Sequence, residues 1–214
     1  MITLDPFYPI VPDAAWVERL VRQGAKLIQL RIKTMPAAAI AAEIAQAMQV
    51  ASAHGCQLVI NDYWREAIRL RANFVHLGQQ DLADADLPAI RGAGIRFGVS
   101  THSLEELQVA LAVEPDYVAL GPIYPTKLKA MPWQPQGLAR IDEWRDKLCC
   151  PLVAIGGITL ERAPSVLAAG ASSAAVVTDI VMSEDPDRRA REWIASTEPW
   201  RDLSTGLLSP ERGA

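Results

Sequence analysis

Several features that mark other classes of protein are missing from this chain of 214 residues. There is no basic excess, because 21 lysines and arginines face 25 aspartates and glutamates, which leaves a formal net charge of −4. A nucleic-acid surface would need clustered positive charge. No apolar run approaches the ~18 residues that cross a bilayer, and residues 1–13 lack the basic and apolar segments of a secretory signal. We expect a cytoplasmic protein that binds neither nucleic acid nor membranes.

Cysteine is scarce as well. The chain has three, Cys56, Cys149 and Cys150. An odd number with an adjacent pair does not form a disulfide framework, and the spacing suits no metal site. We expect these residues to be small buried hydrophobic side chains in a reducing compartment.

Apolar residues, by contrast, are plentiful: 50% of the chain is hydrophobic and 21% is charged, which predicts a large packed core. Short apolar runs bounded by turn residues alternate with longer segments that have helical spacing. The predicted strands are 7–11, 27–31, 58–60, 74–77, 95–99, 116–120, 152–155 and 174–177. The predicted helices are 14–23, 36–54, 64–70, 87–93, 104–113, 141–148, 160–169 and 186–195.

These strands are apolar throughout rather than alternating, which is typical of a parallel sheet buried on both faces. Eight strand–helix units close most naturally into a single-domain (β/α)8 TIM barrel, predicted over residues 1–197 with a loosely ordered tail at 198–214. The alternative is a doubly wound open sheet. That fold normally has fewer strands and a glycine-rich first turn, and the turn after Val11 has no glycine.

Polar residues or glycines follow almost every predicted strand. In a barrel the active site lies at the carboxyl ends of the strands, so these residues predict one shared pocket. They are Gln29, Arg31, Lys33, Asn61, Asp62, Asp81, Ser100, residues 126–129, Gly156, Gly157, Val177 and Thr178. The loop at 121–129 carries a hydroxyl and two ammonium groups that suit an anion, although a solvated surface loop would look the same.

Anion binding is indicated at two places in this pocket. Gly156–Gly157 and Val177–Thr178 follow the last two strands, where barrels commonly bind phosphate through backbone N–H groups. A tight turn is the alternative explanation for the glycines. Arg31, Lys33 and Lys129 add cations, which implies more negative charge than one phosphate monoester carries.

Two carboxylates, Asp62 and Asp81, are unexpected beside a phosphate. Each alone can be a helix cap or a turn residue. Together they fit a Mg2+ ion that bridges them to a diphosphate, because Mg2+ takes oxygen ligands and commonly uses one or two carboxylates plus substrate phosphates.

Rings near the strand ends are harder to interpret. His76 lies inside an apolar strand, and a hydrogen-bonded core residue is the preferred interpretation. Tyr8 and Trp64 can either cover a flat ring or pack in the core. The remaining tryptophans indicate no site: Trp16, Trp133, Trp144, Trp193 and Trp200.

The strand-end motifs resemble those of the thiamine phosphate synthase family over about residues 7–195. They are QLRIK at 29–33, INDYWR at 60–65, VHLGQQD at 75–81, GVSTHS at 98–103, GPIYPT at 121–126, AIGGI at 154–158 and AVVT at 175–178. The resemblance implies a (β/α)8 barrel that joins 4-amino-2-methyl-5-(diphosphooxymethyl)pyrimidine (the pyrimidine diphosphate) to 4-methyl-5-(2-phosphooxyethyl)thiazole (the thiazole phosphate). The products are thiamine phosphate and diphosphate.

The resemblance also implies roles for single residues. Asp62 and Asp81 would bind one Mg2+, and the catalytic residues would be Arg31, Lys33, Ser100 and Lys129. The pyrimidine diphosphate would be held by Gln29, Arg31, Lys33, Asn61, Ser100 and Lys129, and the thiazole phosphate by Thr126, Gly157, Val177 and Thr178. Leu128 is also assigned to substrate binding by its position, although it stands where the family usually has a threonine. Thr178 stands where serine is frequent.

In this family the diphosphate is thought to leave first, and the thiazole nitrogen then captures a pyrimidine-methyl cation. This chain offers cations and a metal for a departing anion, and no obvious nucleophile or dedicated base.

The alternatives are a thiazole tautomerase-like protein, whose relatives lack the aspartate pair, and a non-catalytic barrel that binds thiamine phosphate. A barrel isomerase would need a clear acid–base pair. The sequence leaves a homo-oligomer open.

Overall fold

A computed structural model describes residues 2–126 and 133–201, and eight parallel strands in it form a closed barrel. The strands are β1 (Phe7–Val11), β2 (Leu27–Leu30), β3 (Gln57–Asn61), β4 (Phe74–Leu77), β5 (Arg96–Thr101), β6 (Tyr117–Leu120), β7 (Leu152–Ile155) and β8 (Ser173–Val176). Each strand pairs with the next, and β1 pairs with β8 through Tyr8 and Ala175. The predicted (β/α)8 barrel is confirmed, and the open sheet is excluded because the first and last strands are hydrogen-bonded.

Helices follow the strands around the barrel. They are α1 (Ala14–Arg22), α2 (Ala37–Ala53), α3 (Trp64–Leu70), α4 (Gln79–Asp84), α5 (Leu87–Gly92), α6 (Leu104–Ala112), α7 (Gly137–Arg145), α8 (Ala163–Ala168), α9 (Thr178–Val181) and α10 (Pro186–Thr197). Side chains cap several of their starts: the carboxylate of Asp13 accepts from the backbone N–H of Trp16 at 2.9 Å, and the hydroxyl of Ser103 accepts from Glu106. Short polar runs between apolar segments therefore do define where these helices begin.

The sequence missed two short helices, α4 and α9, and misplaced the limits of two others. Both missed helices directly follow a strand and are too short to show helical spacing. The predicted helix at 160–169 begins only at Ala163, because Pro164 is best accommodated in the first turn of a helix. The helix predicted at 141–148 runs from Gly137 to Arg145.

The core has two layers. Inside the barrel, alternate strand residues form a cluster that includes Tyr8, Leu27, Phe74 and Tyr117, and a second layer packs between the strands and the helices. The Tyr117 ring fits because β5 has a glycine opposite it: a Cβ on Gly98 would lie 2.1 Å from that ring. The packing of the Tyr117 ring inside the barrel therefore depends on a glycine at position 98.

Three further predictions concern the periphery. Cys56 is buried, but Cys149 is exposed and Cys150 half-buried in the connection from α7 to β7, so the prediction of three buried cysteines is wrong for Cys149. Of the predicted tail, residues 198–201 are described, with a 3-10 turn at Glu198–Trp200 and an ion pair from Arg201 to Asp5 at 2.8 Å. Within the described ranges, no helix combines the length and apolar character needed to cross a membrane.

Candidate active site

A cavity of about 610 Å3 opens at the carboxyl ends of the strands. Every predicted site residue that the structure describes contributes to its wall: Gln29, Arg31, Lys33, Asn61, Asp62, Asp81, Ser100, Thr126, Gly156, Gly157, Val177 and Thr178. The predicted residues Lys127, Leu128 and Lys129 lie outside the described residues. The structure thus brings the predicted groups together in one pocket, while the roles assigned to them stay predictions.

A cluster of opposite charges lies where β2 and β3 end. The ammonium of Lys33 donates to the carboxylate of Asp62 at 2.7 Å. Asp62 has a φ of 66°, in the left-handed region that aspartate enters more readily than most residues. Its backbone N–H donates to the carbonyl of His76 at 2.9 Å, which fixes this turn. The backbone conformation therefore fixes the orientation of the carboxylate.

The second carboxylate, Asp81, comes from the first turn of α4. Burial raises the pKa of Asp81, and the neighbouring charge and carboxyl of Asp62 raise it further, while Lys33 acts against this. Gly78 makes room for it, because a Cβ there would lie 2.9 Å from an Asp81 oxygen. Neither α3 nor α4 has a side-chain hydrogen bond at its N-cap. Asp62 and Asp81 are therefore neighbouring carboxylates, and neither of them caps a helix.

Five side chains form a continuous hydrogen-bonded chain across the bottom of the cavity, which we call the cavity floor. The Gln29 amide donates to the Tyr8 hydroxyl at 3.0 Å, and the two tyrosine hydroxyls of Tyr8 and Tyr117 are 3.0 Å apart. The ring of His76 lies 2.7 Å from the Tyr117 hydroxyl and 2.7 Å from the Ser100 hydroxyl. The interpretation of His76 as a hydrogen-bonded core residue is confirmed, and the same ring also borders the cavity.

The cavity floor is uncharged at neutral pH. Burial lowers the pKa of His76 from 6.5 to about 4, and the positive charge of Arg31 adds to this against the opposing charge of Asp62. Burial also raises the pKa of Tyr8 and of Tyr117. A polar but neutral surface therefore lies beside the charged cluster of Lys33, Asp62 and Asp81.

The opposite side of the cavity is made by the connections after β6, β7 and β8. Gly156 and Gly157 have φ values of 99° and 65°, and a Cβ on Gly157 would lie 2.5 Å from the carbonyl oxygen of Pro125. The backbone N–H of Tyr124 donates to the carbonyl of Gly156 at 3.0 Å. The glycines therefore let the loop after β7 pack tightly against the loop that carries Thr126.

An aromatic pair forms the outer wall. The rings of His102 and Trp133 stack with centroids 5.7 Å apart and an angle of 8° between planes, and the carboxylate of Glu106 holds the His102 ring at 2.8 Å. Both rings border the cavity, so Trp133, which the sequence assigned to no site, lies in the wall of the candidate site. Its ring partner His102 lies in the connection between β5 and α6, which no local sequence signal could reveal.

Comparison with known proteins identifies the family. The family model described as thiamine monophosphate synthase matches residues 7–180, which is most of the chain. The chain belongs to the thiamine monophosphate synthase family. The resemblance seen in the strand-end motifs is thereby confirmed, and with it the assignment to transferases of thiamine biosynthesis.

Individual members of the thiamine monophosphate synthase family align over nearly the whole chain. The thiamine-phosphate synthase of Rhizobium etli is 58% identical over 201 residues, 94% of this chain and 98% of that protein. The enzyme of the same name from Salmonella paratyphi B is 49% identical over 203 residues, 94% of this chain and 90% of that protein. The solved structure of thiamine phosphate pyrophosphorylase from Pyrococcus furiosus has a TM-score of 0.81 at 26% identity, covering 92% of this chain and 96% of that one.

Proposed function

We propose that the chain joins the pyrimidine diphosphate to the thiazole phosphate in an Mg2+-dependent alkyl transfer, and that diphosphate departs before the new bond forms. The observation that carries this proposal is the single cavity in which Lys33, Asp62 and Asp81 lie at one side and Gly157 and Thr178 at another. Two anionic substrates need two such places, and their reacting carbon and nitrogen must meet between them.

The carboxylate pair suits Mg2+. The charge of Asp62 opposes the ionisation of Asp81, and a cation between two carboxylates removes that repulsion. Within the described part of the chain, no group of three or more histidine, cysteine or acidic side chains is placed to hold a metal. A site that takes its other oxygens from a diphosphate and water needs only the two. When bound, Mg2+ would supply positive charge to the departing diphosphate.

The chain's own cations support the same departure. Arg31 and Lys33 border the cavity beside the carboxylates, and the predicted ligand Lys129 follows the loop after β6 in sequence. Positive groups fixed where negative charge develops stabilise the transition state more than the bound substrate. Arg31, Lys33, Ser100 and Lys129 are therefore proposed to act on the diphosphate as the C–O bond breaks, with Gln29 and Asn61 holding the pyrimidine.

The cavity floor favours a dissociative reaction over attack by an enzyme nucleophile. Ser100 lies 2.7 Å from the His76 ring, the arrangement of a nucleophile and its base. However, a histidine whose pKa is lowered to about 4 is a weak base, and its other nitrogen is occupied by Tyr117. Ser100 thus stays a hydroxyl, and the neutral floor adds no positive charge that would oppose a pyrimidine-methyl cation.

The thiazole phosphate is proposed to bind at the connections after β6, β7 and β8. Backbone N–H groups of Gly157, Val177 and Thr178, with the hydroxyls of Thr126 and Thr178, can surround a phosphate there. In sequence Leu128 replaces a family threonine, so a hydroxyl is missing from that position. This phosphate would hold the thiazole so that its nitrogen faces the carbon that loses the diphosphate.

Mass spectrometry tests the proposal directly. The purified chain is incubated with both substrates, with each substrate alone, and with both after removal of Mg2+ by chelation. We expect thiamine phosphate and diphosphate only when both substrates and Mg2+ are present. Formation of thiamine phosphate at an unchanged rate without divalent metal would contradict the metal assignment, and no product under any condition would contradict the function.

A further inference from the structure

Asp179 lies next to the proposed phosphate ligand Thr178, and its side chain is only 13% exposed. Its carboxylate accepts four hydrogen bonds. The backbone N–H of Leu160 donates at 3.1 Å and the indole N–H of Trp193 at 2.7 Å. Two guanidinium N–H groups of Arg189 donate at 2.9 Å each. We call Leu160, Asp179, Arg189 and Trp193 the Asp179 cluster.

This cluster joins three segments that are far apart in sequence. Leu160 lies in the connection after β7, Asp179 in α9 directly after β8, and the other two residues in α10. Arg189 also reaches Glu161 at 3.0 Å, again in the connection after β7. The Trp193 ring stacks on Phe7 of β1 with centroids 5.3 Å apart. One buried carboxylate therefore links both connections to the barrel wall.

The separation of those connections matters for a phosphate. Gly157 and Thr178 both lie past the last paired residues of their strands, since the β7–β8 register ends at Ile155 and Ala175. Sheet hydrogen bonds therefore do not fix the distance between their backbone N–H groups. The Asp179 cluster crosses between the two connections within a few residues of both, and buried charge-assisted hydrogen bonds hold geometry firmly.

We infer that Asp179 is a positioning residue that holds the connections after β7 and β8 at the separation at which their N–H groups converge on phosphate. The inference rests on the proposed function, because it assigns the thiazole phosphate to Gly157, Val177 and Thr178. Asp179 does not itself bind the phosphate. Its negative charge is directed at Arg189, which pairs with both of its oxygens.

The test compares Asp179→Ala and Asp179→Asn with Asp187→Ala. Asp187 is a matched control, because it pairs with Arg19 at 2.6 Å on the exposed face of α10, with side chains 36% and 41% exposed. Calorimetry gives the affinity for each substrate, steady-state kinetics gives kcat and KM, and thermal melting shows that each variant is folded.

We expect Asp179→Ala to weaken thiazole phosphate binding about tenfold or more, the effect of losing a buried charge-assisted hydrogen bond. KM for the thiazole phosphate should rise by a similar factor, while kcat and the affinity for the pyrimidine diphosphate change little. Asp179→Asn keeps an oxygen for Leu160 and Trp193, so its loss should be smaller. Asp187→Ala should leave both affinities unchanged.

An equal loss of both affinities in a folded Asp179 variant, or no loss of either, would overturn the inference. Where the alanine variant does not fold, the asparagine variant decides by the same criterion.

Inorganic phosphate is a second probe that separates the two proposals. A wild-type chain that binds phosphate but not the thiazole phosphate contradicts the proposed function, and the positioning role is then judged from the loss of phosphate affinity in the Asp179 variants.

Discussion

The ammonium of Lys33 lies 2.7 Å from a carboxylate oxygen of Asp62, across the gap between the ends of β2 and β3. The Lys33 side chain is 47% exposed and that of Asp62 23%, so the pair contributes little to stability by itself. Its importance is local, because Asp81 lies beside it and the carboxylate of Asp62 raises the pKa of Asp81. A cation and two carboxylates thus lie together in the wall of the cavity.

Asp81→Asn should separate activity from stability. Loss of one metal-binding oxygen should lower kcat by about 100-fold at saturating Mg2+. The pKa of Asp81 is raised in the folded protein, so its ionisation lowers the stability of the protein as the pH rises through that pKa. Removing this charge should therefore raise the melting temperature of the metal-free protein at pH 7. Asp84→Asn, on the exposed side of the same helix, is the control. A variant with wild-type kcat at limiting Mg2+ would show that Asp81 is not a ligand.

The buried ring of His76 predicts a pH dependence of stability. Its pKa is lowered from 6.5 to about 4 by burial, so in this range the unfolded chain binds protons more tightly. The contribution of neutral His76 to the free energy of unfolding is fully present above pH 6.5 and is lost as the pH falls to about 4. The loss is about 3 kcal/mol at most. Urea unfolding at several pH values should show a shallower slope for His76→Gln than for the wild type. His54→Gln, on the exposed end of α2, controls for the loss of a histidine, and identical slopes for the wild type and His76→Gln would rule out this source.

The cavity floor should also depend on Gly98. Alanine there places a Cβ 2.1 Å from the Tyr117 ring, so the ring must move and its hydrogen bond to His76 must break. We expect a loss of stability of about 1–3 kcal/mol or more, and a fall in kcat, measured by urea unfolding and steady-state kinetics. Gly92→Ala is the matched control, since nothing lies within 4 Å of its added Cβ. A Gly98 variant as stable and active as the Gly92 variant would mean that the floor tolerates displacement of Tyr117.

The barrel could be predicted because its strands are continuous apolar runs, a signal that each segment carries by itself. The pocket could be predicted because parallel strands end on the same side. By contrast, the row of hydrogen-bonded side chains from Gln29 through Tyr8 to Tyr117 depends on contacts among β1, β2 and β6 inside the barrel. No periodic pattern in the sequence predicts such contacts. The Asp179 cluster was missed for the same reason. The roles of the predicted ligands, including Lys129 outside the described residues, are matters for the experiments above.

Gly157 offers the most specific test of the phosphate side. A methyl group at this position meets two separate obstacles, the left-handed φ of 65° and the carbonyl oxygen of Pro125 at 2.5 Å. Gly55 isolates the first obstacle, because its φ is 61° and nothing lies within 4 Å of an added Cβ. Gly55→Ala should therefore lose about 1–2 kcal/mol of stability and keep its kinetic constants.

Gly157→Ala should lose at least as much stability, because it has the same backbone strain and the clash in addition. The clash displaces the loop after β6 and with it Thr126, so KM for the thiazole phosphate should rise about tenfold or more. KM for the pyrimidine diphosphate should change far less, since Lys33 and Asp62 follow other strands, β2 and β3. The two variants are compared by urea unfolding and by varying each substrate at saturation of the other. If Gly157→Ala resembled Gly55→Ala in all kinetic constants, the connection after β7 would have no part in binding the thiazole phosphate.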